Sequence, residues 1–350
     1  MTISKPTIIV IGATGAQGAA VVEHLSSTSK YHIIAFTRDT TSPRAQALGN
    51  LPYVELVASN ATHGYDIGSF FEAAKRSDYV YVNTDGFALG EQAEIFWGIR
   101  LYETAARAGI KHLVYSGLEA NIGKETNYDP KYYVGHFEGK GRVQDWIKAQ
   151  PKGEMAWTIF HSGPYIEMFY EFLSPATSDD GTKLFTLPLG EGTVPWQHLP
   201  DYGKYTDWIL SNREESNWLD FGVGISQEGG KEVAESFTKV TGIPAKYVDV
   251  PVAAWVEKAF ESNKSMFPEG QHTKVGHRST TDPSTLHLTY GQNFAAWWNV
   301  YSACTDSKGL IKKDYDFLNK IVPDRVKSVE EWFRKTGFRG EKKGLLKSNE

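Results

Sequence analysis

Cysteine, methionine and long hydrophobic runs are scarce in this chain of 350 residues. Its single cysteine, Cys304, excludes an internal disulfide. Three glycines and two threonines interrupt the most apolar early stretch, residues 7–22, and mean hydropathy is −0.39, so we predict no membrane span. The start of the chain also lacks the pattern of a secretory signal. We therefore expect a cytoplasmic protein, or a nuclear one if it is a regulator.

An excess of positive charge is also missing. The chain has 37 lysines and arginines against 42 aspartates and glutamates, which gives a formal net charge of −5. Nucleic acids and anionic lipid surfaces attract proteins through clustered basic residues. We therefore expect neither direct nucleic-acid binding nor binding to a membrane surface.

Short β-branched runs alternate with longer amphipathic stretches in the first half of the chain. This alternation is typical of parallel strands joined by right-handed helical crossovers. The pattern predicts strands at residues 7–11, 32–36, 53–57, 79–83, 112–116 and 157–161, and helices at residues 16–26, 67–74, 91–108 and 136–149. The predicted fold is α/β, with a Rossmann-type doubly wound parallel sheet.

Turn signals become dense after residue 161, and the regular alternation stops. We predict a Rossmann domain over residues 1–161 and a smaller C-terminal α+β lobe over residues 162–340. Strand and helix patterns at residues 219–242 indicate a return to the first lobe. The lysine-rich end, residues 341–350, is predicted to be a flexible tail.

A glycine-rich turn directly follows the first predicted strand and opens a helix. Its spacing is G-x-x-G-x-x-G, and it comprises Gly12, Ala13, Thr14, Gly15, Ala16, Gln17 and Gly18. Glycine permits positive φ, its missing side chain lets backbone N–H groups approach a pyrophosphate, and the helix N-terminus adds partial positive charge. In this strand-turn-helix context the motif predicts a dinucleotide site.

The residue type at the end of the second predicted strand distinguishes an NAD site from an NADP site. An acidic residue there binds the ribose hydroxyls, whereas an arginine accommodates a 2′-phosphate. Arg38 stands at this position, with Arg44 six residues further on, while Asp39 is the feature that would favour NAD. Each charge-assisted bond to a phosphate is worth about 1.5–3 kcal/mol. We therefore predict NADP(H) as the cofactor.

Several segments beyond these motifs resemble the NmrA-like proteins, an atypical branch of the short-chain dehydrogenase/reductase superfamily. The resemblance covers nearly the whole chain and includes residues 115–119 (YSGLE), 136–141 (HFEGKG), 162–167 (SGPYIE), 242–248 (GIPAKYV) and 328–332 (SVEEW). The 136–141 block is especially similar to that of the NADPH-sensing members. The resemblance implies a Rossmann lobe and a smaller lobe that closes a cleft over the nicotinamide.

The family resemblance leaves two functions open. The family contains reductases, among them fungal oxidoreductases of secondary metabolism, and regulators that bind NADP(H) and a protein partner. The first hypothesis is an NADP-dependent oxidoreductase that acts on a carbonyl, enone or imine carbon of a small substrate. The second is a non-catalytic redox sensor whose partner is a regulatory protein such as a transcription factor. Either hypothesis is compatible with a monomer or a homodimer.

Three residues follow the catalytic pattern that the resemblance implies. Ser116 stands at the serine position and Lys140 at the lysine of the usual Tyr-x-x-x-Lys, but His136 replaces the tyrosine. Positions i and i+4 share a helix face, so His136 and Lys140 are expected to project into one cleft. A histidine can donate a proton near neutral pH, or it can hydrogen-bond the cofactor without acid chemistry. Tyr132 and Tyr133 are reserve candidates for the missing phenol.

Loops after the predicted strands supply the remaining site candidates, because ligands bind at the carboxyl ends of parallel strands. Asn60, after the third strand, stands where the superfamily often has an aspartate against adenine. Further cofactor-binding candidates are Thr84, Asp85 and Gly86 after the fourth strand and Gly163, Pro164 and Tyr165 after the sixth. Eight of the ten tryptophans follow residue 150, and the candidates for a wall opposite the nicotinamide are Trp196, Tyr165, Trp297 and Trp298.

Three histidines lie close together near the C-terminal end: His272, His277 and His287. Their spacings of five and ten residues place no pair on one helix face, and no cysteine or carboxylate completes a ligand set. We therefore predict no metal site.

Overall fold

The computed structural model describes residues 5–59, 61, 63–120, 122–264, 267–268, 270–277, 279, 287–305 and 309–344. Within these residues the strands are β1 (Thr7–Ile11), β2 (His32–Thr37), β3 (Val54–Ala58), β4 (Tyr79–Val82), β5 (His112–Gly117), β6 (Ala156–His161), β7 (Ala176–Thr177), β8 (Lys183–Leu187), β9 (Thr193–Trp196), β10 (Leu219–Gly222), β11 (Ser226–Gly229) and β12 (Ala245–Asp249).

Helices connect most of these strands. In the described ranges they are α1 (Ala16–Thr28), α2 (Pro43–Gly49), α3 (Ile67–Ala74), α4 (Gly86–Leu89), α5 (Glu91–Ala108), α6 (Ile122–Glu125), α7 (Gly135–Ala149), α8 (Leu199–Ser211), α9 (Arg213–Ser216), α10 (Gly230–Thr241), α11 (Val252–Ser262), α12 (Tyr290–Ser302), α13 (Tyr315–Ile321) and α14 (Val329–Thr336). Short 3₁₀ turns lie at Pro130–Tyr132 and Ile166–Tyr170. No helix of the described chain is long and apolar enough to cross a membrane.

Seven strands form one sheet in the order β3-β2-β1-β4-β5-β6-β10, and every neighbouring pair is parallel. The direction of strand addition reverses between β1 and β4. Loops at the carboxyl ends of these two strands diverge, which opens a crevice at that edge of the sheet. The predicted Rossmann-type α/β fold is confirmed.

Both faces of the sheet are buried, and its strands carry apolar side chains toward both sides. On one face, Ile8 and Val10 of β1 pack with α1, α8 and α13. On the other face, Ile9 and Ile11 pack with α3, α5 and α7. This double burial explains why β1 is a continuous apolar run rather than an alternating one.

A second lobe has its own sheets and core. β9 pairs with β11, and β8 lies between β12 and β7. Helices α10, α11, α12 and α14 pack around these strands, and the shared core is rich in aromatic side chains. Five of the buried residues are tryptophans: Trp196, Trp255, Trp297, Trp298 and Trp332.

The chain crosses between the lobes several times. After β6 it enters the second lobe, then α8 packs on α1, and α13 also joins the core on that face. The stretch 219–242, predicted to return to the Rossmann lobe, divides between the lobes. β10 becomes the seventh strand of the main sheet, whereas α10 packs against β12 and α14.

The predicted strands and helices are present, with ends shifted by one or two residues. Helix α2 was not predicted, although Ser42 caps it by accepting a hydrogen bond from the backbone N–H of Ala45 (3.3 Å) and Pro43 occupies its first turn. The start of the predicted tail is hydrogen-bonded to the rest of the chain, because the backbone N–H of Lys343 donates to Tyr170 O at 2.9 Å. Residues 345–350 lie outside the described residues.

Candidate active site

A cavity of about 460 Å³ lies between the two lobes, at the carboxyl ends of the central strands. Residues of the main sheet and its loops line one side, and residues of the second lobe line the other. The sequence-predicted site residues among its lining are Gly12, Thr14, Gly15, Ala16, Gln17, Arg38, Thr84, Asp85, Gly86, Ser116, His136, Lys140, Gly163, Pro164 and Tyr165. Ala13 and Gly18 do not line it, and Asn60 lies outside the described residues.

The glycine turn brings backbone to the cavity wall. Gly12 has φ of +79°, and a Cβ added there would lie 2.6 Å from Asn83 O. A Cβ on Gly18 would lie 2.1 Å from Gly12 O, so Gly18 acts behind the turn by letting α1 pack closely against it. Gly15 is the N-cap of α1 and provides no side-chain cap. The first N–H groups of α1 therefore remain available to an anion.

Arg38 and Asp39 both follow β2, but their side chains lie in different surroundings. Arg38 is exposed and lines the cavity. Oδ1 of Asp39 accepts bonds from the backbone N–H and the hydroxyl of Thr41, at 2.7 and 2.6 Å. Asp39 is not part of the cavity lining. The arginine, rather than the aspartate, is thus placed to meet a ligand.

Through its side-chain amide, Gln17 connects the end of β5 with the loops that follow β4 and β6. Its Nε2 donates to Ser116 Oγ at 2.8 Å, and its Oε1 accepts from Asn83 Nδ2 at 2.8 Å. The hydroxyl of Tyr165 donates to the same Oε1 at 3.2 Å. Burial raises the pKa of Tyr165, so its phenol stays protonated. Ser116 therefore belongs to the Gln17 network and does not contact Lys140 directly.

The ammonium group of Lys140 is surrounded by oxygen atoms. Its Nζ donates to Thr84 O and Thr84 Oγ1, both at 2.9 Å, and to Asn83 Oδ1 at 3.3 Å. It also lies 3.2 Å from Oε1 of Glu94, and both side chains of this ion pair are buried. These bonds hold the ammonium at the end of β4, where it borders the cavity.

His136 lies one helical turn before Lys140 and is buried. Its Nδ1 contacts the side-chain amide of Asn293 on α12, and its ring lies 4.6 Å from the ring of Phe87. Burial lowers the pKa of His136 to about 4, and the charge of Lys140 acts in the same direction. The imidazole is therefore neutral at physiological pH.

Comparison with known proteins assigns the family. The sequence profile of the NmrA-like family matches residues 4–290. The chain belongs to the NmrA-like family. The NmrA-like family domain-containing oxidoreductase malD of Malbranchea aurantiaca is 27% identical, over 96% of this chain and 98% of its own. The corresponding oxidoreductase ptmS of Penicillium ochrochloron is 26% identical, over 82% of this chain and 91% of its own.

Solved structures share the fold of this NmrA-like protein at low identity. NmrA, a negative transcriptional regulator in complex with NAD, has a TM-score of 0.72 at 19% identity, covering 95% of this chain and 96% of its own. The NADPH-dependent quinone oxidoreductase of Escherichia coli, complexed with NADPH, has a TM-score of 0.66 at 18% identity, covering 95% of this chain and 100% of its own. Both likenesses extend to the second lobe.

Aromatic rings form one wall of the cavity. The ring of Phe87 is nearly parallel to those of Tyr290 and Phe294, with centroids 6.1 and 5.7 Å away. Other large apolar side chains in the lining include Phe137, Met168, Phe172, Phe267 and Trp297. Of the predicted wall residues, Trp297 and Tyr165 line the cavity, whereas Trp196 and Trp298 are fully buried in the second core.

The reserve tyrosines lie elsewhere in this NmrA-like chain. Tyr133 donates its hydroxyl proton to Glu91 Oε2 at 2.7 Å, and neither Tyr132 nor Tyr133 belongs to the cavity lining. Among the described residues, no three His, Cys, Asp or Glu side chains are grouped to hold a metal ion.

Sequence reasoning missed two residues that position the site, Glu94 and Asn293. Glu94 lies in the buried stripe of α5 that includes Leu101 and Ala105, and Asn293 lies in the buried aromatic stripe of α12. A single polar residue at helical spacing within an apolar stripe was the signal available in the sequence. Such a residue needs a buried partner, and only the packed structure shows which one.

Proposed function

We propose that this protein is an NADP(H)-dependent oxidoreductase that acts on a carbonyl, enone or imine carbon of a small, apolar, aromatic molecule. The observation that carries the proposal is that the glycine turn, Lys140 and the aromatic wall line a single cavity. The relatives that are named as oxidoreductases support this reaction class.

The residues present fit a dinucleotide. A side chain at Gly12 would collide with Asn83 O, and Gly15 leaves the N-terminus of α1 uncapped, so the turn provides a backbone cradle for a pyrophosphate. Arg38 would hold a 2′-phosphate, and Lys140 would hold the nicotinamide ribose. When bound, NADPH supplies a hydride.

Two features support NADP over NAD. Arg38 is the cation of the cavity lining nearest in sequence to the end of β2, where a ribose phosphate is recognised. The carboxylate of Asp39 is turned toward Thr41 instead of toward the cavity. A guanidinium group binds phosphate oxygens through charge-assisted hydrogen bonds. The adenosine ribose of NAD carries no phosphate that could accept them.

The chain's own side chains would orient the substrate. The aromatic wall around Phe87 offers flat apolar surface to a ring and excludes water from the reacting carbon. Ser116 and His136 border the same space and are hydrogen-bonding groups for a carbonyl oxygen. This combination favours a substrate with one polar reactive group on an aromatic frame.

The test is NADPH consumption, followed by absorbance, with a panel of aromatic ketones, cyclic enones, quinones and cyclic imines. We expect turnover of at least one class and a loss of about a hundredfold or more when Lys140 is neutralised. Lys140→Met is combined with Glu94→Gln, so that no buried carboxylate is left unpaired, and is compared with Glu94→Gln alone. Lys148→Met, on the same helix but at the surface, is the control. Turnover retained in the double variant would contradict the proposal.

One observation favours the second hypothesis, a sensor with a regulatory protein partner. The usual tyrosine is replaced by His136, whose low pKa makes it a poor source of protons at neutral pH. A redox sensor must bind NADPH and NADP⁺ with different affinities, since a ligand with equal affinity for two states shifts nothing. Equal affinities in calorimetric titrations, together with turnover, would exclude this function.

A further inference from the structure

We propose that Asn293 is a positioning residue that holds His136 as its Nε2–H tautomer, so that His136 acts in the cavity as a neutral hydrogen-bond donor and keeps its proton. The tautomer is inferred from the contacts between these two residues. The role of the Nε2–H group toward a carbonyl oxygen rests on the proposed function.

The orientation of the Asn293 amide is determined by a backbone group. The backbone N–H of His136 can only donate, and the Asn293 atom that it contacts, at 3.4 Å, is therefore the oxygen Oδ1. His136 Nδ1 lies 2.9 Å from the amide nitrogen Nδ2 and 3.1 Å from Oδ1 of the same amide. The shorter of the two contacts, from the donor Nδ2, assigns Nδ1 as the acceptor, and the ring proton of the neutral imidazole is then on Nε2.

The groups around His136 keep its imidazole neutral and leave its Nε2 edge facing the cavity. The rings of Phe87 and Phe137 lie 4.6 and 4.8 Å from the imidazole, and Lys140 is the charged group that acts on it. A second positive charge beside this ammonium would be unfavourable. Among the described residues no protein group bonds to Nε2, and this atom is not enclosed by its neighbours. It therefore faces the cavity that His136 lines.

A neutral imidazole N–H suits a site in which negative charge develops on a carbonyl oxygen. It stabilises that charge by a hydrogen bond without transferring a proton. Asn293 belongs to α12 of the second lobe, whereas His136 belongs to α7 of the Rossmann lobe. The hydrogen bond between them therefore makes the donor depend on the packing of the two lobes.

The test is an NMR experiment on the full chain with ¹⁵N-labelled histidine, without cofactor or substrate. Two-bond ¹⁵N–¹H correlations distinguish the two tautomers, and His136→Gln assigns the signal. In the wild-type protein we expect His136 as Nε2–H at neutral pH, with no protonation until the pH falls toward about 4. A wild-type signal from the Nδ1–H tautomer would overturn the proposal.

Asn293→Asp replaces the donor by a carboxylate, which accepts a bond from Nδ1–H. We expect the ring proton to move to Nδ1 and the pKa of His136 to rise by about one unit or more. Asn299→Asp is the matched control, because this half-buried asparagine of the same helix donates to Lys131 O and does not contact His136. If Asn293→Asp fails to fold, Asn293→Leu is used, for which a mixture of both tautomers is expected. An unchanged Nε2–H signal in either folded variant would show that Asn293 does not position the ring.

Activity supplies a separate readout once a substrate is known. Asn293→Asp should lower kcat about tenfold to a thousandfold and leave the KM for NADPH within about twofold, because the donor is lost but the cofactor contacts remain. An unchanged kcat would overturn the role of His136 as the donor. The NMR result does not depend on turnover, so failure of the proposed function and failure of the tautomer assignment can be distinguished.

Discussion

Lys140 and Glu94 form a buried ion pair, with Nζ 3.2 Å from Oε1, that joins α7 to α5 beside the cavity. Glu94 also accepts the hydroxyl proton of Thr84 at 2.7 Å. Burial raises the pKa of Glu94, while the charge of Lys140 lowers it. A Cβ on Gly86 or Gly139 would lie 2.5 or 2.8 Å from Glu94 Oε2, so these glycines make room for the carboxylate.

The pair predicts strong coupling between its two members. Lys140→Met should lower the free energy of unfolding by about 3–5 kcal/mol, because it leaves a buried carboxylate unpaired. Adding Glu94→Gln should restore a large part of this loss. Urea unfolding of the two single variants and the double variant measures the coupling energy. Additive losses would show that the pair is not coupled.

Arg38 is predicted to determine the cofactor preference. Arg38→Ala should weaken NADPH binding about tenfold or more and leave NADH binding nearly unchanged, since each charge-assisted phosphate bond is worth about 1.5–3 kcal/mol. Calorimetric titration with each cofactor measures the difference. Arg100→Ala, an exposed arginine on α5, is the control. Equal losses for both cofactors would remove Arg38 from the phosphate site.

The glycine turn predicts different effects at two of its glycines. Gly18→Ala forces a Cβ to within 2.1 Å of Gly12 O, whereas Gly15→Ala places one 3.3 Å from the same atom at a φ of −74°. Backbone atoms cannot move aside as the end of a flexible side chain can. Gly18→Ala should therefore lower the free energy of unfolding by about 3 kcal/mol or more. Gly15→Ala should cost much less. Thermal and urea unfolding of the two variants provide the comparison, and similar losses would refute the close-packing role of Gly18.

A cluster of charged groups formed by Glu119, Lys313 and His161 predicts a pH dependence of stability. Burial disfavours ionised Glu119, but the charges of Lys313 and His161 outweigh it and lower the pKa of Glu119 from 4.5 to about 2. A lowered carboxyl pKa adds stability that is present above the ordinary pKa and is lost as the pH falls toward 2. At about 1.4 kcal/mol per pKa unit, the contribution is about 3 kcal/mol.

Lys313→Met removes the main source of this shift. The variant should be less stable than the wild type by about 3 kcal/mol at pH 7, and the difference should shrink as the pH falls below the ordinary carboxyl pKa. Lys312→Met, at the exposed neighbouring position, should show no such pH-dependent difference. Urea midpoints measured between neutral pH and about pH 3 test this. A difference that stays constant with pH would contradict the role of Lys313.

Much of the fold could be predicted from local sequence patterns. The strand at Thr7–Ile11, the turn at Gly12 and the helix that follows were predicted correctly because their conformations depend on neighbouring residues. The burial of Trp196 and Trp298 in the second core could not be predicted. An aromatic ring suits a core and a ligand wall equally well, and only packing distinguishes the two.

The site candidates show the same division. Residue type and helical spacing were enough to predict that His136 and Lys140 line one cavity, because positions i and i+4 share a helix face. Their hydrogen-bond partners were decided by distant parts of the chain: Asn293 lies 157 positions from His136, and Thr84 lies 56 positions from Lys140. A pKa or a tautomer depends on burial and on the groups within hydrogen-bonding distance. Those distances exist only after the two lobes have packed together.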